Sequence, residues 1–269
     1  MLFRNCKQAL LSLAIVSLLG TAAVSVDAQT RDRSERSGKK SENLYPNATR
    51  EEPKAKGAAK LQTKLQKLVE VYNKDDYAKT RAQADELLAN PAATDYDKAV
   101  ASQLASQAAY NLDDMPGTIA YLKQAVQLNA LDNNNHYQLM YMLAGLQLQE
   151  DQLADGIATL DRYFAETKSQ KPEELALKGQ ALYQQEKYAE AIPVLKQAIE
   201  SSTEPKDNWQ QLLMASYAEA GQAGEATQMA EKIAAKSPGD KKAQMNLASV
   251  YLQADKFDQA AAILEKLRA

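Results

Sequence analysis

His136 is the only histidine in the chain and Cys6 the only cysteine. The side chains most used for nucleophilic, proton-transfer and metal-ligating work are therefore nearly absent. A general base at His136 needs a nucleophile or paired carboxylate within reach, and its neighbours in sequence are instead Asn133, Asn134 and Asn135. A zinc site of the Cys/His kind lacks ligands. The acidic pairs Asp75-Asp76 and Asp113-Asp114 lack the alternating oxygen spacing of a calcium loop. They fit turns, where Asp hydrogen-bonds nearby backbone. The ten glycines form no phosphate-cradling loop. The expectation is no enzyme, no cofactor and no metal, with His136 in a structural or surface place.

The 269 residues carry 32 basic and 35 acidic side chains, with 45% apolar and 25% charged residues, as in water-soluble globular proteins. A net charge of −3 argues against nucleic acid as a partner, because binding there relies on clustered cations.

The N-terminus reads as a secretory signal peptide over residues 1–28. Arg4 and Lys7 supply a positive start, and the uncharged apolar run from Ala9 to Gly20 follows. That run is shorter than the ~20 residues needed to span a bilayer. Val26 and Ala28 place small residues where cleavage requires them. Cys6 precedes the apolar run, so it is not a lipid-accepting cysteine, and no membrane span is expected after cleavage. Residues 29–57 then read as a disordered basic linker. They hold eight basic and five acidic residues, and Leu44 and Tyr45 are the only large apolar groups. Asn47-Ala48-Thr49 matches a short glycosylation pattern.

From residue 58 onward apolar residues recur at helical spacing in paired blocks. Tyr217 aligns with Tyr251 and Ala226 with Ala260, and the turn Gly221-Gln222 aligns with Asp255-Lys256. Sliding the same template back places a small residue at Thr80, Thr118, Gly156, Ala191, Ala226 and Ala260. It places a turn residue at Tyr77, Met115, Leu153, Tyr188, Ala223 and Phe257. Six units follow, at 61–98, 99–136, 137–171, 172–206, 207–240 and 241–269, with extra residues expected in connections such as Leu131 to Asn135. Asn135 and Asp240 fit helix N-caps, and Pro172 fits a first helical turn.

These units resemble the tetratricopeptide repeat (TPR), most closely over 172–269, where Gly179, Tyr188, Ala191, Leu195, Ala198, Leu247, Ala248, Tyr251 and Leu264 reproduce the motif. The resemblance implies an all-α solenoid over 58–269, helix pairs stacked into a right-handed superhelix, and a role in protein–protein interaction. It also implies that the first helix of each pair lines a concave face. Projected onto this chain, that face holds Asn73, Gln103, Gln107, Tyr110, Asn111, Gln138, Tyr141, Gln180, Tyr183, Gln184, Asn208 and Gln211. Neutral amides of this kind suit an extended peptide backbone, since each donates and accepts, and the tyrosines add apolar contact with a polar tip. Lys and Arg are nearly missing from the set, which disfavours a clamp for a C-terminal carboxylate. Trp209 sits where such repeats place a packing Trp. The stretch Glu204 to Leu213 loosely resembles periplasmic TPR proteins associated with TonB-type clusters.

The expected function is an exported, periplasmic scaffold of a cell-envelope complex. A peptide- or unfolded-protein-binding module and an accessory to a cell-wall enzyme are the alternatives. The final unit lacks a polar capping helix, so Phe257, Ile263, Leu264 and Leu267 are expected to be partly bare. Either the chain is shortened relative to a longer relative, or this end self-associates or meets another molecule.

Overall fold

The computed structural model describes residues 42–54 and 56–268. Among them every regular element is helical. A single 3-10 turn, Ala59–Leu61, leads into α1 (Gln62–Tyr72), α2 (Tyr77–Leu88), α3 (Asp95–Asn111), α4 (Met115–Leu128), α5 (Asn133–Gln149) and α6 (Leu153–Thr167). Then come α7 (Pro172–Gln184), α8 (Tyr188–Ser201), α9 (Asp207–Glu219), α10 (Ala223–Lys236), α11 (Lys241–Gln253) and α12 (Phe257–Arg268). They form helical hairpins, α1/α2 through α11/α12. Two compact units divide the chain, the first running to Ser169 and the second starting at Gln170. The signal-peptide expectation, with Cys6, lies outside the described residues.

The hairpin template holds in detail. The turn positions Tyr77, Met115, Leu153, Tyr188, Ala223 and Phe257 are each the first residue of a hairpin's second helix. Three residues later, Thr80, Thr118, Gly156, Ala191, Ala226 and Ala260 are all buried. Small side chains there let the two helices of a hairpin approach closely. On the facing helix of the fourth hairpin Gly179 has the same role, since a Cβ would sit 2.5 Å from Leu195 Cγ.

Each hairpin turn is built the same way. The residue two places before the second helix has left-handed backbone: Asp75 (φ 58°), Asp113 (56°), Asp151 (59°), Glu186 (62°), Gly221 (74°) and Asp255 (57°). Asp and Gly tolerate that conformation best, which is why acidic residues punctuate this sequence. In the first two turns the next residue caps the helix, Asp76 accepting from Lys79 N–H and Asp114 from Gly117 N–H.

The extra residues of the second and third repeats are helix, not loop. Helices α3 and α5 have 17 residues, whereas α7, α9 and α11 have 13. The difference is one added turn at the N-terminus, residues 95–98 and 133–136. The expected boundaries at 99 and 137 therefore fall inside helices. Thr94 starts α3 through a capping box with Asp97, and Asp132, rather than Asn135, caps α5 by accepting from Asn135 N–H. Asp240 caps α11 and Pro172 opens α7, as the sequence suggests.

The cores differ in kind. The first unit buries Leu68, Leu104, Leu122, Tyr137, Met140 and Tyr163. The second contains an alanine-rich cluster of Ala226, Ala230 and Ala234 against Met214, Leu247 and Val250. Trp209 is buried, with Lys206 Nζ 5.3 Å from its ring centroid, so it packs as expected.

Candidate peptide-binding surfaces

Tyr45 is buried, its ring centroid 5.1 Å from that of Tyr137 and 6.1 Å from that of Tyr163, both edge-on. This places an extended N-terminal segment against the first unit and corrects the expectation of a disordered linker to residue 57, for residues 42–54 and 56–57. That expectation weighed low apolar content and high charge, neither of which registers hydrogen bonds to helix ends. The segment is instead held by hydrogen bonds to helix ends, whose terminal N–H and C=O groups have no partner within their own helix.

Asn134 grips the segment's backbone with both ends of its amide. Its Oδ1 accepts from Leu44 N–H (3.0 Å), and its Nδ2 donates to Glu42 C=O (2.8 Å). Next to it Asn133 Nδ2 donates to Arg50 C=O, and Asn133 N–H donates to the Glu52 carboxylate at the positive end of α5. A turn follows Tyr45, with Pro46 after it and Ala48 N–H donating to Tyr45 C=O. Thr49 N–H then donates to Glu166 C=O (2.8 Å) near the C-terminus of α6. The Arg50 guanidinium donates to Asn129 Oδ1 (2.7 Å), Asn133 Oδ1, and the Asn129 and Leu131 carbonyls (2.9 Å each), filling the connection between α4 and α5. Further on, Thr94 Oγ1 donates to Lys56 C=O and Ala58 N–H donates to the buried Asp97 carboxylate (2.9 Å) at the start of α3.

The residues of α3 and α5 that hydrogen-bond the segment, namely Asp97, Asn133 and Asn134, belong to the added turns. So does His136. It is fully buried, its ring 5.3 Å from Tyr137, and neither ring nitrogen has a hydrogen-bond partner. Burial, reinforced by the charges of Arg50 and then Arg162, pushes its pKa down to about 3. It is a neutral core residue at physiological pH. Burial also lowers the Arg50 pKa from its ordinary value, opposed by Tyr137, Glu166 and Glu52.

The expected concave-face residues divide by unit. In the first, Gln103 and Gln107 are buried, and Gln103 Nε2 donates to Asn135 Oδ1 (3.3 Å). Tyr141 is half-buried with its ring 5.5 Å from Tyr163, Tyr110 and Gln138 are half-buried, and Asn73 and Asn111 are exposed. In the second, Gln180, Tyr183, Gln184 and Gln211 are half-buried and Asn208 is exposed. Gln180 Nε2 is shielded from solvent without a hydrogen-bond partner, and Tyr183 stacks edge-on to Tyr188 at 5.1 Å. The backbone-gripping pair Asn133 and Asn134 was not among the expected residues. The signal lay in three consecutive asparagines after Asp132, a run read as a connection.

Among the described residues no group of three or more His, Cys, Asp or Glu is placed to hold a metal ion, and no helix is long and apolar enough to cross a membrane. A tetratricopeptide-repeat profile matches residues 217–269, and the profile of a domain of unknown function, DUF4032, matches residues 114–237. No curated protein matches the chain. MamA from Desulfovibrio magneticus RS-1, from its residue 41 to its end, superposes with a TM-score of 0.53 at 18% identity, over 64% of this chain and 94% of that one. The chain has the fold of tetratricopeptide-repeat proteins, and residues 217–269 match that repeat. YrrB, described as a TPR protein with an unusual peptide-binding site, gives a TM-score of 0.52 at 15% identity, over 63% of this chain and 84% of YrrB. At these identities the likeness is one of fold. Hairpins of this kind nonetheless explain why the turn and small-residue template holds so closely through both units.

Proposed function

We propose that this TPR protein is exported and acts as a scaffold in a cell-envelope complex, holding a segment of a partner protein on the first helices of its repeats. The observation that carries this reading is the half-buried polar and aromatic row Gln180, Tyr183, Gln184 and Gln211 of the second unit. Its amides can pair with an extended backbone and its tyrosine adds apolar contact. The likeness to YrrB, itself described with a peptide-binding site, supports the same reading. Export rests on residues 1–28, and a partner in a TonB-type energy-transduction system rests on the stretch Glu204 to Leu213.

Two measurements test it. Osmotic shock should release the protein with periplasmic contents, and retention with the cytoplasm refutes export. Crosslinking and affinity capture from envelope fractions should recover one partner in fixed stoichiometry, and Gln180→Ala with Gln184→Ala should weaken recovery at least fivefold. Unchanged recovery removes this row from the binding face. Suppression of aggregation of unrelated unfolded proteins, with no fixed partner, would instead favour a chaperone-like binder.

A further inference from the structure

The surface that seats residues 42–52 has the chemistry of a site for a linear peptide. It offers an aromatic socket (Tyr137, Tyr163), an amide that pairs with two backbone groups (Asn134), an open helix-end carbonyl (Glu166) and a nest of oxygens for a guanidinium (Asn129, Leu131, Asn133). None of these contacts needs regular secondary structure in the occupant. The occupant is largely open to solvent: Tyr45 is its one buried side chain, while Leu44 is 41% exposed and residues 46, 47, 49, 51 and 52 lie exposed. An ordinary interior segment is enclosed on several sides, whereas this one lies along helix ends with most of its residues facing solvent.

We infer that this surface is a docking site for an extended segment of a partner protein bearing an aromatic residue and, five positions later, an arginine. Residues 42–52 are its resident occupant in cis, and a partner segment of the same chemistry displaces them. Covalent attachment gives the resident segment a high effective concentration, so displacement needs a partner presented at comparable local concentration or a weakened resident. The inference rests on the reading of the chain as a protein-binding scaffold and specifies one site and one partner chemistry for it.

The test uses the full chain and a fluorescein-labelled synthetic peptide with the sequence of residues 42–54. Fluorescence anisotropy is recorded for the unmodified chain and for Tyr45→Ala/Arg50→Ala, which loosens the resident segment. The doubly substituted chain should bind the peptide at least tenfold more tightly than the unmodified chain. Adding Asn134→Ala should lower that affinity at least fivefold, as should replacing the peptide's tyrosine by alanine. Equal binding to both chains, or none to a doubly substituted chain whose helical circular dichroism is intact, overturns the inference.

If the doubly substituted chain loses its helices, amide hydrogen exchange on the unmodified chain decides. The Thr49 amide should exchange at least a hundredfold faster than core amides of α5, through an opening that leaves the helices closed. Exchange at the α5 rate means the segment leaves only on unfolding and overturns the inference. Either negative result leaves envelope capture through Gln180 and Gln184 untouched, so failure here is distinguishable from failure of the scaffold reading.

Discussion

The two units use one hairpin and surround it differently. Eight residues before the second helix, Gln107 and Gly145 of the first unit's two lengthened hairpins are buried, whereas Val69 of its first hairpin and Gln180, Ala215 and Ser249 of the second unit are half-buried. Eleven residues before, Leu104 and Met142 are buried, and Leu177, Leu212 and Asn246 are half-buried. The first unit has lengthened two of its first helices by a turn and folded an N-terminal segment onto the added residues. The second keeps the shorter repeat and leaves the corresponding face more accessible. A repeat architecture can thus assign rigidity to one stretch and accessibility to another by adding four residues per repeat, without altering the hairpin itself.

The contrast can be broken or sharpened by substitution. Leu104→Ala removes a fully buried side chain from the first unit and should cost about 2–5 kcal/mol. Urea denaturation gives the magnitude, and hydrogen exchange should localise the loss to α3 and its neighbours. An effect below ~1 kcal/mol would mean the position relaxes as an open one does.

Arg50→Ala deletes a guanidinium that donates to four oxygens and should cost about 1.5–3 kcal/mol. The change should appear as faster exchange across residues 42–54 and the start of α5, with α7 to α12 unaltered. A uniform effect on both units would contradict the local role of the segment.

Acid should distinguish the units as well, because His136 is the only histidine. Its folded pKa of about 3 lies below the ordinary 6.5, so the unfolded chain takes up the proton first. The stability this group contributes is complete above pH 6.5 and falls as pH drops toward 3. Between pH 6.5 and 5 the first unit should lose about 2 kcal/mol. Denaturant midpoints at the two pH values check this, and His136→Leu should flatten the dependence. A dependence that survives the substitution points to carboxylates instead.

The smallest change is a gain in the second unit. Glu186 is a non-glycine residue held at φ 62°, so Glu186→Gly should stabilise by about 1 kcal/mol, read as a raised thermal midpoint. Asp113→Gly in the first unit should gain less, since Asp accepts left-handed backbone more readily than Glu.

Much of this architecture was legible from residue types. The turn and small positions follow from steric demands that act within one hairpin, so a template slid along the chain finds all six. The added turns were hidden because Asp95 to Lys98 and Asn133 to His136 have polar compositions that serve connections and solvated helix starts equally well. What decides is the cap, Thr94 or Asp132, and the contacts made by distant residues. The seated segment was hidden for the same reason. Its attachments are largely backbone groups and helix ends, which leave little trace in apolar periodicity, and its side-chain contacts are spread over Tyr45, Thr49, Arg50 and Glu52. Among the expected binding residues, those of the second unit keep partial access, while Gln103 and Gln107 do not. Periodicity assigns a face to a helix but not what lies over it.

The link from Thr49 to Glu166 joins residues 117 apart in the chain. At the ordinary pace of translation, ~5–20 residues per second, the segment waits about 6–25 s after its own synthesis before that carbonyl is made. What is made first among the described residues is therefore among the last of the first unit to find its seat, and for that interval the Tyr45 side chain is available to whatever helper meets the emerging polypeptide.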